Sequence, residues 1–149
     1  MQLTRFSDLG LRVLMYLTQH DRVEPVTSAE VATQFDVPLN HIIKVVHRLG
    51  KLGWVETLRG RNGGLRLAIE PSQLRLGTVV RELEGADQLV DCHEPPCVLR
   101  SGCQLKSVLD AGLDAFYATL DKHTLADVCK RRTGELLIAL HRRRPTATV

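Results

Sequence analysis

The sequence predicts a mainly α-helical fold carrying one small β-hairpin, and three observations predict it. Apolar residues recur at helical spacing in several separate stretches. Two short β-prone runs flank the glycine-rich "RGRNGG", and basic residues crowd into one segment. At 149 residues the chain is about one domain, large enough to bury a core without disulfide staples.

Phe6 to His20 places Leu9, Val13, Leu14, Tyr16 and Leu17 near helical spacing, with Thr4 as a cap, and reads as a first helix. In "TSAEVATQF", Thr27 or Ser28 is the N-cap of a short second helix whose apolar face is Ala29, Val31, Ala32 and Phe35, ending near Asp36. "LNHIIKVVHRLGKLG" continues as a longer basic helix, with Ile42, Ile43, Val46 and Leu49 inward and Asn40, His41, Lys44, His47, Arg48 and Lys51 elsewhere. Two helices joined by a few residues, the second one basic, form a helix-turn-helix pattern, whose second helix enters the DNA major groove. "WVETL" and "LRLAI" then make a hairpin, with Asn62-Gly63-Gly64 tolerant of the positive φ a tight turn needs. A hairpin in that place is a wing, and Arg59 and Arg61 near its tip can reach a phosphate or a minor groove.

Beyond Pro71, "LRLGTVVRELEG" reads as another helix. Gly85, Pro95, Pro96 and Gly102 then keep the next stretch a loop. From Gln104 to about Leu120, Leu105, Val108, Leu109, Leu113, Phe116, Tyr117 and Leu120 make a stripe broader than a small winged domain needs for its own core. That stripe can pack on the first helix of its own chain, and the favoured reading is a helix that also pairs with its counterpart in a homodimer, since helix-turn-helix proteins usually read two half-sites. "TLADVCK" reads as a short further helix and "HRRRPTATV" as a frayed tail. The expected organisation is a winged helix-turn-helix over 1–75, a helix and cysteine loop over 76–103, a dimerisation helix and C-terminal helix over 104–140, and a flexible tail over 141–149.

Charge sharpens the DNA reading. Between Leu39 and Arg66, Lys44, Arg48, Lys51, Arg59, Arg61 and Arg66 stand against Glu56 alone, a net of +5, whereas eight basic and eleven acidic residues between Leu67 and Leu140 leave that part at −3. A basic stripe of this kind is what phosphate neutralisation requires. No apolar run approaches the roughly 20 residues that span a bilayer, and charges interrupt "MQLTRFSDLGLRV", so a cytoplasmic protein without membrane contact is expected.

"DCHEPPCVLRSGC" holds Cys92, Cys97 and Cys103, three of only four cysteines. In a reducing compartment such clusters bind metal or do redox work more often than they form bridges. Structural zinc sites favour C-x2-C pairs, and redox pairs favour C-x-x-C; the observed C-x4-C-x5-C suits an iron-sulfur cluster better, with zinc left open. A thiol oxidoreductase would also need a substrate pocket that nothing in the sequence supplies, so an enzyme is not expected. Cys129 reads as a partly buried apolar residue, and His93 as an ordinary loop histidine.

"MQLTRFSDLGLRVLMYL", "NHIIKVVHRLGKLGWVETLRGRNGGLRL", "LGTVVRELEG" and "DCHEPPCVLRSGCQLK" together resemble the NsrR family of nitric-oxide-sensing repressors, over Met1 to about Cys129. The related IscR regulators have a wider first cysteine spacing and a histidine where this chain has Lys106. The resemblance implies a homodimer of winged-helix subunits in which Cys92, Cys97 and Cys103 bind an iron-sulfur cluster, 4Fe-4S in preference to 2Fe-2S. It places Asp8 as a fourth ligand reaching the cluster from the partner subunit. Asp8 also stands four residues before Arg12, the spacing of an ordinary helical ion pair. The implied function is repression of operator DNA, relieved by nitric oxide, with a redox or iron-status regulator of the same fold as the alternative. Asn40, His41 and Lys44 are the candidates for bases, and Arg48, Lys51, Arg59 and Arg61 for the remaining DNA contacts, mostly phosphates.

Overall fold

The computed structural model describes residues 2–19, 22, 24–60, 63–85 and 88–143. It consists of α1 (Arg5–Tyr16), α2 (Ser28–Gln34), α3 (Leu39–Lys51), β1 (Val55–Leu58), β2 (Gly64–Leu67), α4 (Leu76–Glu84), α5 (Gln104–Leu120), α6 (Leu125–Val128) and α7 (Arg131–Arg142).

Local chemistry fixes several boundaries. The Thr4 hydroxyl accepts from the Ser7 N–H to start α1, and Thr27 accepts from the Glu30 N–H to start α2, each satisfying an orphan donor. Thr124 and Asp127 form a reciprocal capping box on the single turn of α6. Helix α4 ends at Gly85, whose φ of 64° is the left-handed conformation that closes helices cheaply. Helix α1 stops at Tyr16, short of the expected His20, which lies outside the described residues.

One core unites the first half of the chain. Leu9, Val13, Leu14 and Tyr16 of α1, Val31 of α2, and Ile42, Val45 and Leu49 of α3 pack with Trp54, Val55, Leu65, Val79 and Leu83. Each fully buried side chain of this size stabilises by roughly 1.5–3 kcal/mol. The inward face of α3 is Ile42, Val45, Val46 and Leu49, an i, i+3, i+4, i+7 set. Ile43, expected inward, is 50% exposed, because 100° per residue turns it away from that face. Likewise Ala29 is exposed on α2, leaving Val31 and Ala32 as its buried positions.

The wing is an antiparallel pair with Val55 opposite Leu67 and Leu58 opposite Gly64, extended by an isolated bridge from Val26 to Leu65. Glu56 and Arg66 face each other across it and form an ion pair. Among the described residues of its turn, Gly60 has a positive φ, at 105°. Gly64 does not adopt a positive φ, and Asn62 lies outside the described residues. A smaller core forms where Val80 of α4 meets Leu113 and Tyr117 of α5.

Helix α7 departs from the expected organisation, since His141 and Arg142 are helical and not part of a tail. Gly134 in its second turn and a left-handed Arg131 at its start (φ 53°) give it weak local signals, so docking supports it. Leu137 is buried, Gln34 of α2 donates to the Leu140 carbonyl at 3.0 Å, and the His141 ring stacks on Tyr16 with centroids 3.9 Å apart. Beneath that stack, Glu30 accepts from the Tyr16 hydroxyl at 2.6 Å and from both terminal nitrogens of Arg22 at 2.5 and 2.9 Å. Burial pushes the Glu30 carboxyl up, but its bonds to Arg22 and Tyr16 outweigh that, and the net direction is downward. Burial, then the bond to Glu30, push the Tyr16 hydroxyl well above its usual range.

A carboxyl held below its unfolded value contributes stability above that value and loses it as pH falls through the folded one. Glu30→Gln is therefore expected to be less stable at pH 7 by about 1–3 kcal/mol and to lose less further stability than the parent below about pH 4.5. Urea unfolding at stepped pH checks this, and identical acid dependence in the two proteins would contradict it.

Candidate functional site

Two regions carry candidate chemistry, the α3 and wing surface and the cysteine loop. On α3, Asn40, His41, Lys44 and Lys51 are exposed, as is Ile43 beside them. They share the side opposite the buried Ile42, Val45 and Leu49, so the helix presents polar, cationic and apolar groups outward on a rigid base. Ile43 is a candidate the sequence reading missed: its outward position could be found by centring the apolar arc on Val45, and an exposed aliphatic group is what a thymine methyl accepts. Arg48 differs from the others, because its guanidinium bonds Glu82 of α4. Arg59 is exposed directly after β1, at the wing turn, while Arg61 lies outside the described residues.

The loop before α5 folds on its own backbone. The Cys97 N–H donates to the Cys92 carbonyl at 3.1 Å, Arg100 to Cys97 at 3.3 Å, and Gly102 to Leu99 at 3.1 Å. Cys92 is buried, Cys97 and Cys103 are partly exposed, and all three are free thiols. Cys103 is the N-cap of the 17-residue α5, at the positive end of its dipole, where accumulating negative charge is favoured. The Lys106 ammonium, one turn on, is held charged first by its bond to Asp110, and it also feels Cys92 and Cys103. Among the described residues, no three of His, Cys, Asp or Glu are gathered so as to hold a metal ion.

As a donor set, three soft sulfurs on one loop, flanked by a helix N-terminus and a lysine, fit an iron-sulfur cluster in chemistry, one ligand short of four. Asp8 is engaged within its own helix: Arg12 grips it through Nε at 3.0 Å and Nη2 at 2.9 Å, beside an open depression that Phe35, Asp36 and Val37 complete. Cys129 stands apart, and burial pushes its thiol up. His93 is exposed, with its backbone N–H on the Asp91 carboxylate.

A helix-turn-helix with an exposed basic second helix and a following hairpin defines a winged-helix DNA-binding protein. The family model described as Rrf2, iron-dependent transcriptional regulator, matches residues 3–131. The chain is 43% identical over 137 residues to the HTH-type transcriptional regulator NsrR of Geobacillus kaustophilus, covering 90% of this chain and 93% of that one. It is 44% identical over 142 residues to the HTH-type transcriptional repressor NsrR of Streptomyces coelicolor, covering 94% and 96%. Among solved structures, CymR, the global cysteine regulator of B. subtilis, is similar with a TM-score of 0.71 at 25% identity, over 86% of this chain and 95% of that one. The chain belongs to the Rrf2 family of transcriptional regulators. No helix among the described residues is long and apolar enough to cross a membrane.

Because Asp8 and Arg12 are each 46% exposed, their ion pair contributes only a few tenths of a kcal/mol. Asp8→Ala is expected to lower unfolding stability by no more than about 0.5 kcal/mol. A several-fold larger loss in thermal unfolding would give Asp8 a structural role.

Proposed function

We propose that the chain represses transcription as a homodimer bound to operator DNA and that nitric oxide, acting at an iron-sulfur cluster on the cysteine loop, releases it. The observation that carries this reading is the placement of three free thiols on the loop that leads into α5, in a chain whose α3 face is built for DNA. Cys92, Cys97 and Cys103 would hold the cluster from one subunit and Asp8 from the other, with 4Fe-4S favoured over 2Fe-2S. When bound, the cluster supplies iron that reacts with nitric oxide.

The chain's own residues supply the rest. Leu105 and Val108 of α5 are 67% and 68% exposed among the described residues, an apolar edge that suits pairing with its counterpart. A carboxylate is a harder, weaker partner for such iron than a thiolate, and Arg12 stands ready to take Asp8 back. Asp8 is on α1, whose Leu14 and Val13 share a core with α3, so a shift of α1 alters the separation of two recognition helices that must match roughly one DNA turn, about 34 Å. Asn40, His41 and Lys44 approach bases with Ile43 on a thymine methyl, while Lys51, Arg59 and Arg61 serve phosphates. The chain acts as a cytoplasmic regulator and not as an enzyme. A response to iron or redox status is the second reading, favoured by the family's description as iron-dependent.

The test is anaerobic purification with iron and sulfide analysis, then nitric oxide titration while operator binding is followed by gel shift. About four irons and four sulfides per subunit, with DNA binding lost as the visible spectrum bleaches, is expected. Operator binding indifferent to nitric oxide would remove the sensing role. Cys97→Ala should lose cluster and regulated binding together, and a variant that still represses and still responds would sink the assignment. Arg59→Ala is expected to weaken binding across all sequences and to reduce the salt slope by about 0.9, as anisotropy at several salt concentrations would reveal.

A further inference from the structure

The recognition helix is tied to the rest of the chain by a contact that the DNA reading does not use. Arg48, in the last turn of α3, donates through Nη2 to Glu82 Oε2 and to the Glu82 carbonyl, both at 3.1 Å. The two side chains are 41% and 46% exposed, so the pair sits at the rim of the junction between α3 and α4. The neighbouring positions of α4 reach elsewhere. Arg81 donates to Asp121, just past α5, at 2.9 Å and lies over the Tyr117 ring at 4.3 Å. Glu84 accepts from the N–H and the hydroxyl of Thr4, at the start of α1, at 2.8 and 3.0 Å. One nine-residue helix therefore bonds to three parts of the chain from its last four positions. Among the described residues, α4 is also the element on which α5 chiefly packs.

We propose that Glu82 is a positioning residue for operator recognition. By holding Arg48 it sets the aim of α3 from α4, the helix that carries α5 and the cysteine loop; this rests on the DNA-binding reading above. Both bonds to Glu82 come from Nη2, so a phosphate could be met only by the remaining donors, and the carboxylate beside them repels it. A true phosphate contact contributes about 0.9 to the slope of log affinity against log salt, whereas a positioning residue changes affinity and leaves the slope alone. Exchanging the two charges separates the roles further, since an acid at position 48 restores a positioning pair and destroys a phosphate contact.

The probe is the strongest duplex that the wild-type chain selects from randomised DNA, and its affinity is followed by anisotropy from low to high salt. The proteins are wild-type, Arg48→Gln, Glu82→Gln, Arg48→Glu and the exchanged Arg48→Glu/Glu82→Arg. Both glutamine variants should bind about fivefold more weakly with an unchanged slope, and the exchanged pair should regain most of what Arg48→Glu loses. A slope lowered by about 0.9 in Arg48→Gln, tighter binding by Glu82→Gln, or an exchanged pair as weak as Arg48→Glu alone overturns the positioning role. A wild-type chain that selects no duplex overturns the DNA reading and this proposal with it.

Discussion

The architecture depends on how closely α4 approaches its neighbours. A methyl group at Gly10 of α1 would lie 2.5 Å from Leu83 Cδ1, and one at Gly77 of α4 would lie 2.0 Å from Asp121 Oδ1. Either methyl would force the facing side chain to move, so the two glycines let α4 sit close against both the DNA-binding half and the end of α5. Once it is seated there, Val79 and Leu83 belong to the larger core and Val80 to the smaller one. Interiors packed at crystal-like density transmit displacement instead of absorbing it. A shift at α5 must therefore be felt at α1 and α3.

Polar contacts follow that geometry. The outer ion pairs of α4 are exposed and individually weak, and their value is directional. The network around Glu30 is of the other kind: its carboxylate is mostly shielded, and its partners come from α1, α7 and the segment between α1 and α2. Removing one member there strands the others, which is why such networks fix a single arrangement of the helices around them.

Sequence periodicity revealed most of this fold. Helix α5 begins and ends where its apolar repeat says, Thr4 caps α1 as expected, and of the two candidates Thr27 and Ser28 it is Thr27 that caps α2. The reading failed where tertiary contacts decide. Ile43 looks like a core residue by type and is exposed by angle. In the wing, Gly60 takes a positive φ that the sequence reading did not assign to it. Helix α7 has a poor start and an internal glycine, so its stability comes from Tyr16 and Gln34, more than 100 residues away, which no local pattern encodes. For the candidate site, the thiols announce themselves by spacing. The engagement of Arg48 with Glu82 could not be read, since it joins helices 34 positions apart.

The stacking of His141 on Tyr16 bears on how the chain is made. The histidine's Nε2 bonds the Tyr16 carbonyl across 125 positions, among the most non-local contacts in the molecule. Contacts of such separation form late, after the entropy of closing the intervening loop has been offset. During synthesis the helix-turn-helix leaves the ribosome before α7, yet the layer that closes over Tyr16 and Glu30 must wait for that helix. A part translated well before α7 is thus among the last to be finished.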